Sequence, residues 1–276
     1  MRRFNTPNFL VMDTSEACNE SCIYCWRHHN NDVGKVTVPL EYIEHVMSQT
    51  VGWKLKSINP YNSGDTMLET RMPEIIKIIR KYNDSPIVFF TNGTIYANRK
   101  LLLGADEVHF TISAATRETY TLMHGRDLYG EVVRTIGWLE DQPNHPKIVT
   151  TFIMTRKNIH ELPQWREQWM RFEHSISPVV NKPDLKLSIE TELANCTPLF
   201  DPEKVDLPCV FWDVLLILLN GEVQMCCGGE PSLFGNVHRD VPLLTAWRNR
   251  CSYGEKILAT QCSHCQFRSR EWMKKL

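Results

Sequence analysis

The 276-residue chain has no long hydrophobic run: its longest, "VLLILL" at 214–219, is far shorter than the roughly 20 residues a membrane-crossing helix needs. The opening "MRRFNTPNF" has arginines but no apolar stretch behind them, so no secretory leader is expected. Charge of either sign is not in excess. The formal net charge of -1 gives no electrostatic argument for a nucleic acid or an anionic membrane as partner, and the basic residues Arg268, Arg270, Lys274 and Lys275 read as a solvated helix face. Repeats and low-complexity stretches are also missing. With 42% hydrophobic and 23% charged residues, these exclusions leave a globular, cytoplasmic protein with a sizeable core.

What the chain has in quantity is cysteine, ten in all. In a reducing compartment clustered cysteines point to metal or catalysis more than to disulfides. They stand in a chain that alternates short apolar runs with amphipathic segments. "NFLVMDTS" reads as a strand, "PLEYIEHVMSQT" as a helix, "KLKSINPYNSGD" as strand and loop, "MPEIIKIIRKY" as a helix and "PIVFFTNGT" as a buried strand. A short helix near 98–103, a strand in "DEVHFTISA", helical stretches within 117–140, a strand in "PKIVTTFIMT", a helix over 158–173 and a strand in "DLKLSIET" continue the rhythm.

Six such units imply an α/β fold with a parallel sheet, either open and doubly wound or curved into a partial barrel, with the ligand at the carboxyl ends of the strands. After residue 195 the style changes to turns, a hairpin around Asn220 and Gly221, and crowded cysteines. The expected division is therefore 1–195 and 196–276, the second part too small for a large core of its own.

Three cysteines, Cys18, Cys22 and Cys25, sit on the loop after the first strand in "SEACNESCIYCW". A zinc site could recruit His28 or His29, but structural zinc pairs usually show a longer gap after a close pair. Three thiolates can instead hold a 4Fe-4S cube and leave one iron open to a small molecule.

On these residues the sequence resembles the radical S-adenosylmethionine superfamily, whose CxxxCxxC signature follows the first strand of a partial barrel. The resemblance implies a (β/α)6 TIM-type partial barrel with a 4Fe-4S cluster on Cys18, Cys22 and Cys25 and Tyr24 against adenine. Gly64, Asp65 and Thr66 in "YNSGDTML" would lie near the methionyl amino group, although Ser63-Gly64-Asp65 replaces the family's usual two glycines and glutamate. "FFTNGT" and "TISAATRETYTLMHGRD" also fit, with Ser113 and Arg126 at ribose and carboxylate. The reaction implied is reductive cleavage of S-adenosylmethionine to a 5'-deoxyadenosyl radical, which takes hydrogen from an unactivated carbon. A one-electron donor such as flavodoxin or ferredoxin would supply the electron, and the substrate would be a small molecule or a peptide.

Cys209, Cys226, Cys262 and Cys265 resemble the start of a SPASM domain in its shorter twitch form, which implies a second, auxiliary 4Fe-4S cluster. Cys226 and Cys227 alternate on a strand, and the spacing from Gly221 favours Cys226 as the ligand. A zinc ribbon could use the same four residues. A fully ligated cluster suits electron acceptance, so the expected reaction is oxidation of the substrate, as in compact aminocyclitol dehydrogenases. Glu190 and Glu192, near the end of the expected sixth strand, stand where a substrate-binding or proton-accepting group would belong, with Glu190 as the candidate base. Cys251 or Cys227 could instead return a hydrogen atom, making a radical epimerase, while Cys196 is a further spare thiol. A peptide-crosslinking enzyme and, outside catalysis, a zinc-binding interaction module are the other readings. His109 alternates with apolar neighbours and reads as a satisfied core histidine, or as one facing the lumen.

Overall fold

The computed structural model describes residues 5–25, 36–178, 211–226, 231–239 and 241–257. Parallel strands run in sequential order: β1 (Phe9–Met12), β2 (Ser57–Asn59), β3 (Val88–Thr91), β4 (Glu107–Thr111), β5 (Lys147–Met154) and β6 (Glu173–Pro178). A bridge from Ile58 to Ile87 joins the β1–β2 pair to the β3–β6 group. Helices α1 (Leu40–Ser48), α2 (Met72–Tyr82), α3 (Arg117–His124), α4 (Tyr129–Glu140) and α5 (Leu162–Gln168) fill the crossovers. Sequential order, one sense and helical crossovers are the pattern of an open β/α barrel.

The alternation of each strand decides the faces. Leu10, Ile58, Phe89, Val108, Phe110, Ile148 and Phe152 are buried. Phe152 meets Trp165 of α5 at 5.2 Å between centroids, which marks this as the helix-covered side. Burying each such side chain is worth about 1.5–3 kcal/mol, so this face carries most of the sheet's stability. Helix boundaries follow local chemistry. Thr116 caps α3 by accepting from the Thr119 N–H, and Gly125, at a φ of 73°, ends it in the left-handed region open to glycine. Glu161 reinforces that start, accepting from the Ala115 and Thr116 N–H groups and the Thr116 and Thr119 hydroxyls. Burial works against ionisation of Glu161, yet these donors hold its carboxyl below the usual range.

The helical stretches expected within 117–140 are α3 and α4, separated after His124 at Gly125. Two expectations need correction. The short helix near 98–103 is a longer 3-10 segment, Tyr96–Gly104. The helix expected over 158–173 stops at Gln168, and β6 begins at Glu173. Its "EHSISP" lacks the apolar run of a buried strand because Ser175 and Ser177 occupy the face away from the helices, so nothing in it stands out from a helix end. The stretch "DLKLSIET" lies outside the described residues.

The expected hairpin around Asn220 and Gly221 is present as antiparallel β7 (Val214–Ile217) and β8 (Glu222–Gln224), followed by β9 (Pro231–Asn236) and α6 (Leu243–Ile257). The position 195/196 lies outside the described residues. Strand β7 pairs in parallel with β1, from Phe9 opposite Val214 to Met12 opposite Ile217. No described helix is long and apolar enough to cross a membrane.

Candidate functional site

The loop that leaves β1 carries the three cysteines, and its neighbours fix it from two sides. On one side stands Asp13, buried, whose carboxylate accepts from the Asn62 and Ser63 N–H groups at 3.1 and 2.6 Å and from the Ser63 hydroxyl at 2.9 Å. Burial pushes Asp13 above the usual carboxylate range while these donors pull it back. Beyond them, the Tyr61 hydroxyl and the Asp65 N–H both donate to the Ala17 carbonyl, at 2.9 and 2.8 Å. Gly64 lies in this contact. A Cβ there would meet the Ala17 carbonyl oxygen and the Tyr61 hydroxyl, each at 2.6 Å, so close approach of two backbones demands glycine.

On the other side is the end of α3. The Ser21 and Ile23 N–H groups donate to the His124 and Met123 carbonyls at 3.1 and 3.0 Å, and a Cβ at Gly125 would fall 2.5 Å from the Ser21 oxygen. Orphan carbonyls of a helix C-terminus thus hold the cysteine loop. Asn19 adds a third tie, to Thr94 and Asn92.

None of Cys18, Cys22 and Cys25 is in a disulfide; Cys18 is exposed, and the other two are half-buried. Burial of the Cys22 sulfur, with the Glu20 carboxylate beside it, pushes this thiol well above its ordinary range. A thiolate that the polypeptide alone disfavours is stabilised by a bound metal, and a donor set of three loop thiols fits an iron-sulfur cube with one iron left open. Glu20, Cys22 and His124 also bring their ligand atoms within 4.8 Å of one another.

The residues expected at the adenosyl donor converge on the same end of the sheet. The Tyr24 hydroxyl is 3.4 Å from Ser113 Oγ, which also accepts from the Ile153 N–H at 3.2 Å. Thr66 is buried and donates to the Phe90 carbonyl. Asp65 is buried too. Its carboxylate accepts from the Met67 and Asn92 N–H groups and the Thr91 hydroxyl, tying the loop after β2 to the end of β3. Burial nevertheless pushes it up to about 6. Arg126 follows Gly125 and is exposed.

The sheet face away from the helices is mixed: Asn59, Glu107, His109, Thr111, Thr151, Ser175 and Ser177 share it by alternation and register with Val11, Phe90, Val149 and Ile153. Lys147 is paired with Glu107 at 3.1 Å and Glu173 at 2.7 Å. His109 bonds to Glu107 through Nε2, while its Nδ1 and the Thr151 hydroxyl are buried with no partner among the described residues. His109 is therefore a face residue with one nitrogen still available.

In the C-terminal region, Cys226 ends the described part of the hairpin and Cys251 lies on α6, both half-buried. Arg250, the residue before Cys251, is fully buried and donates to the carbonyls of Phe211, Trp212 and Met225. It clamps the segment that follows Cys209 in sequence to the residue before Cys226. Glu190, Glu192, Cys196, Cys209, Cys227, Cys262 and Cys265, with His28 and His29, lie outside the described residues.

Asp13, Glu20, His124 and Glu161 were not expected as site residues. For Glu20 a signal existed: a carboxylate between two cysteines of a metal loop is seldom idle. The others announce themselves only through partners distant in the chain.

Comparison with known proteins agrees with this geometry. A probable GTP 3',8-cyclase of Metallosphaera sedula is 28% identical over 155 residues, covering 55% of this chain and 48% of that protein. The GTP 3',8-cyclase of Chlorobaculum tepidum is 22% identical over 178 residues, 62% of this chain and 52% of that one. The chain thus matches about half the length of these curated relatives. Streptococcus suis SuiB bound to S-adenosylmethionine shares the fold with a TM-score of 0.66 at 13% identity, over 95% of this chain and 71% of that one. Native anSMEcpe with bound AdoMet gives 0.64 at 13% identity, over 89% and 82%. BtrN in complex with AdoMet and 2-DOIA gives 0.52 at 14%, over 94% and 88%. The family described as the radical SAM superfamily matches residues 12–167, from the end of β1 into α5, and the chain belongs to it.

Proposed function

We propose that this chain is a radical enzyme that holds a 4Fe-4S cluster on Cys18, Cys22 and Cys25, binds S-adenosylmethionine at the open iron and oxidises a polar substrate. The observation that carries the reading is the three-thiol loop at the carboxyl end of β1, locked between Gly64 and Gly125. Cys18, Cys22 and Cys25 would hold the cluster, whose chemistry would be one-electron reduction of the sulfonium and, through it, hydrogen abstraction from a substrate carbon. Tyr24 and Ser113, 3.4 Å apart, would contact adenosine, and Gly64 would let the donor's methionyl end approach backbone. The likeness of fold to proteins with bound AdoMet supports this assignment.

For the substrate, the polar groups on the inner sheet face support a small molecule or peptide that presents hydroxyl or amino groups to His109 Nδ1, Thr151, Ser175 and Ser177. The relatives named GTP 3',8-cyclase support a second reading, a cyclisation of a nucleotide. Cys209, Cys226, Cys262 and Cys265 would hold the auxiliary cluster, whose chemistry is to accept the electron left on the substrate carbon, with Glu190 taking the hydroxyl proton. In a radical epimerase, Cys251 or Cys227 would return a hydrogen atom instead. A flavodoxin or ferredoxin fits as electron donor.

The test is anaerobic iron, sulfide and zinc content, with 5'-deoxyadenosine formed from S-adenosylmethionine and dithionite, in the native protein and in the combined variant Cys18→Ala, Cys22→Ala, Cys25→Ala. The expected variant makes no 5'-deoxyadenosine and keeps about half the iron, held by the auxiliary thiolates. Loss of all iron with zinc retained would reject the auxiliary cluster in favour of a zinc ribbon. A native protein with zinc and no iron would reject the radical reading entirely.

A further inference from the structure

Behind the cysteine loop lies a closed group of side chains. The side chains of Glu20 and His124 are each 1% exposed and meet at 2.8 Å, Glu20 Oε2 to His124 Nδ1. The other carboxylate oxygen, Oε1, accepts from the Tyr120 hydroxyl at 2.5 Å, and the Tyr120 ring stacks on the imidazole at 4.1 Å between centroids and 7° between planes. His124 Nε2 accepts from the Ser113 N–H at 3.2 Å, so the ring's hydrogen sits on Nδ1 and points to Glu20. The Cys22 sulfur is 3.5 Å from Glu20 Oε2 and 3.6 Å from His124 Nδ1.

We propose that Glu20, held by His124 and Tyr120, is a positioning group that places a buried negative charge against the Cys22 thiolate and sets the cluster's reduction potential low. This rests on the cluster reading above. Cluster potentials follow nearby charge and hydrogen bonds to sulfur. Glu20 acts on both. Its charge, in a site where solvent screens little, opposes addition of an electron. It also captures the Nδ1 hydrogen, which would otherwise go to the Cys22 sulfur and favour the reduced cluster. Because the imidazole is fixed from both nitrogens and from its face, the arrangement is rigid, and through the Ser113 N–H it runs from the cluster thiolate to the adenosine end of the site.

The experiment is a mediated redox titration of the anaerobic native protein and of Glu20→Gln and Tyr120→Phe, followed by electron paramagnetic resonance of the reduced cluster, with iron content measured alongside. Glutamine keeps the shape, loses the charge and offers an amide donor to sulfur, so the midpoint in Glu20→Gln is expected to move positive at unchanged iron content. Tyr120→Phe removes the hydroxyl that disperses the Glu20 charge, so its midpoint is expected to move negative. If Glu20→Gln does not load iron, the direction in Tyr120→Phe decides. An unchanged midpoint or a negative shift in loaded Glu20→Gln, or in its absence an unchanged or positive one in Tyr120→Phe, overturns the inference while the cluster reading stands. A native protein without iron overturns both.

Discussion

Gly64 is the residue on which the cysteine loop turns. With the Ala17 carbonyl and the Tyr61 hydroxyl both 2.6 Å from a would-be Cβ, one methyl group has to push apart the loops after β1 and β2. Overpacking of this kind costs about 1–3 kcal/mol, and here the displaced atoms belong to the backbone between β1 and Cys18. Gly64→Ala is expected to lower iron per chain and the urea midpoint together. Gly137→Ala is the control, since it meets nothing within 4 Å in α4 and should raise stability by about 0.5–1 kcal/mol. Normal iron loading in Gly64→Ala would show that the two loops are free to separate. At this scale the cysteines stood out by a spacing that a shared metal would impose, and Gly64 because it stands in the segment that the family resemblance marked. Glu20 and His124 were not. Their partnership spans 104 positions, and a single carboxylate or histidine gives no sign of what a distant turn of chain brings to it.

Elements whose periodicity is strong matched their reading, as α2 does with Met72, Ile75 and Ile79 on its buried face. β6 escaped because its serines, on the face away from the helices, carry no hydrophobic signal, and alternation over so few residues cannot compete with the helical pattern before it. Packing between elements was equally unreadable, and two contacts make it testable. Arg250 of α6 holds carbonyls from three residues, so Arg250→Met leaves buried acceptors unpaired at roughly 1–3 kcal/mol each. The expected result is a lower urea midpoint together with loss of the iron expected to remain in the triple cysteine variant. Retention of that iron would sever Arg250 from the proposed auxiliary site. His238 stacks on Tyr42 of α1 at 4.9 Å, and burial, helped by His45 and Arg239, holds it down at about 4. Between pH 6.5 and 4 the unfolded chain binds a proton there that the folded one refuses, so stability is lost as pH falls. Asp65, raised to about 6, works in the opposite sense over part of this window, so a difference is needed. The drop in urea midpoint from pH 7 to pH 5 should be smaller in His238→Phe, which keeps the stack; equal drops would mean that the α1 contact does not titrate.

For the molecule as a whole, the decisive pairing is β1 with β7, which hydrogen-bonds a strand from the C-terminal region to the strand that launches the cysteine loop. Leu215, Leu216 and Ile217 are buried in this pairing. Re-exposing three such side chains costs roughly 5–9 kcal/mol, a sum comparable to the whole stability of an ordinary domain. A region that costs so much to detach does not open by itself. The hairpin and α6 are thus expected to unfold with the barrel, even though composition and cysteine usage set them apart in sequence. Native-state hydrogen exchange reads this directly: amides of 9–12 and 214–217 should share one opening free energy, and tryptophan fluorescence and circular dichroism should give coincident urea transitions. Earlier exchange at 214–217 would separate the two regions and allow the C-terminal thiols to assemble their cluster independently. Coincident exchange would make loading at one end sensitive to folding at the other, because strand β1 delivers Cys18 and receives the strand that leads to Cys226.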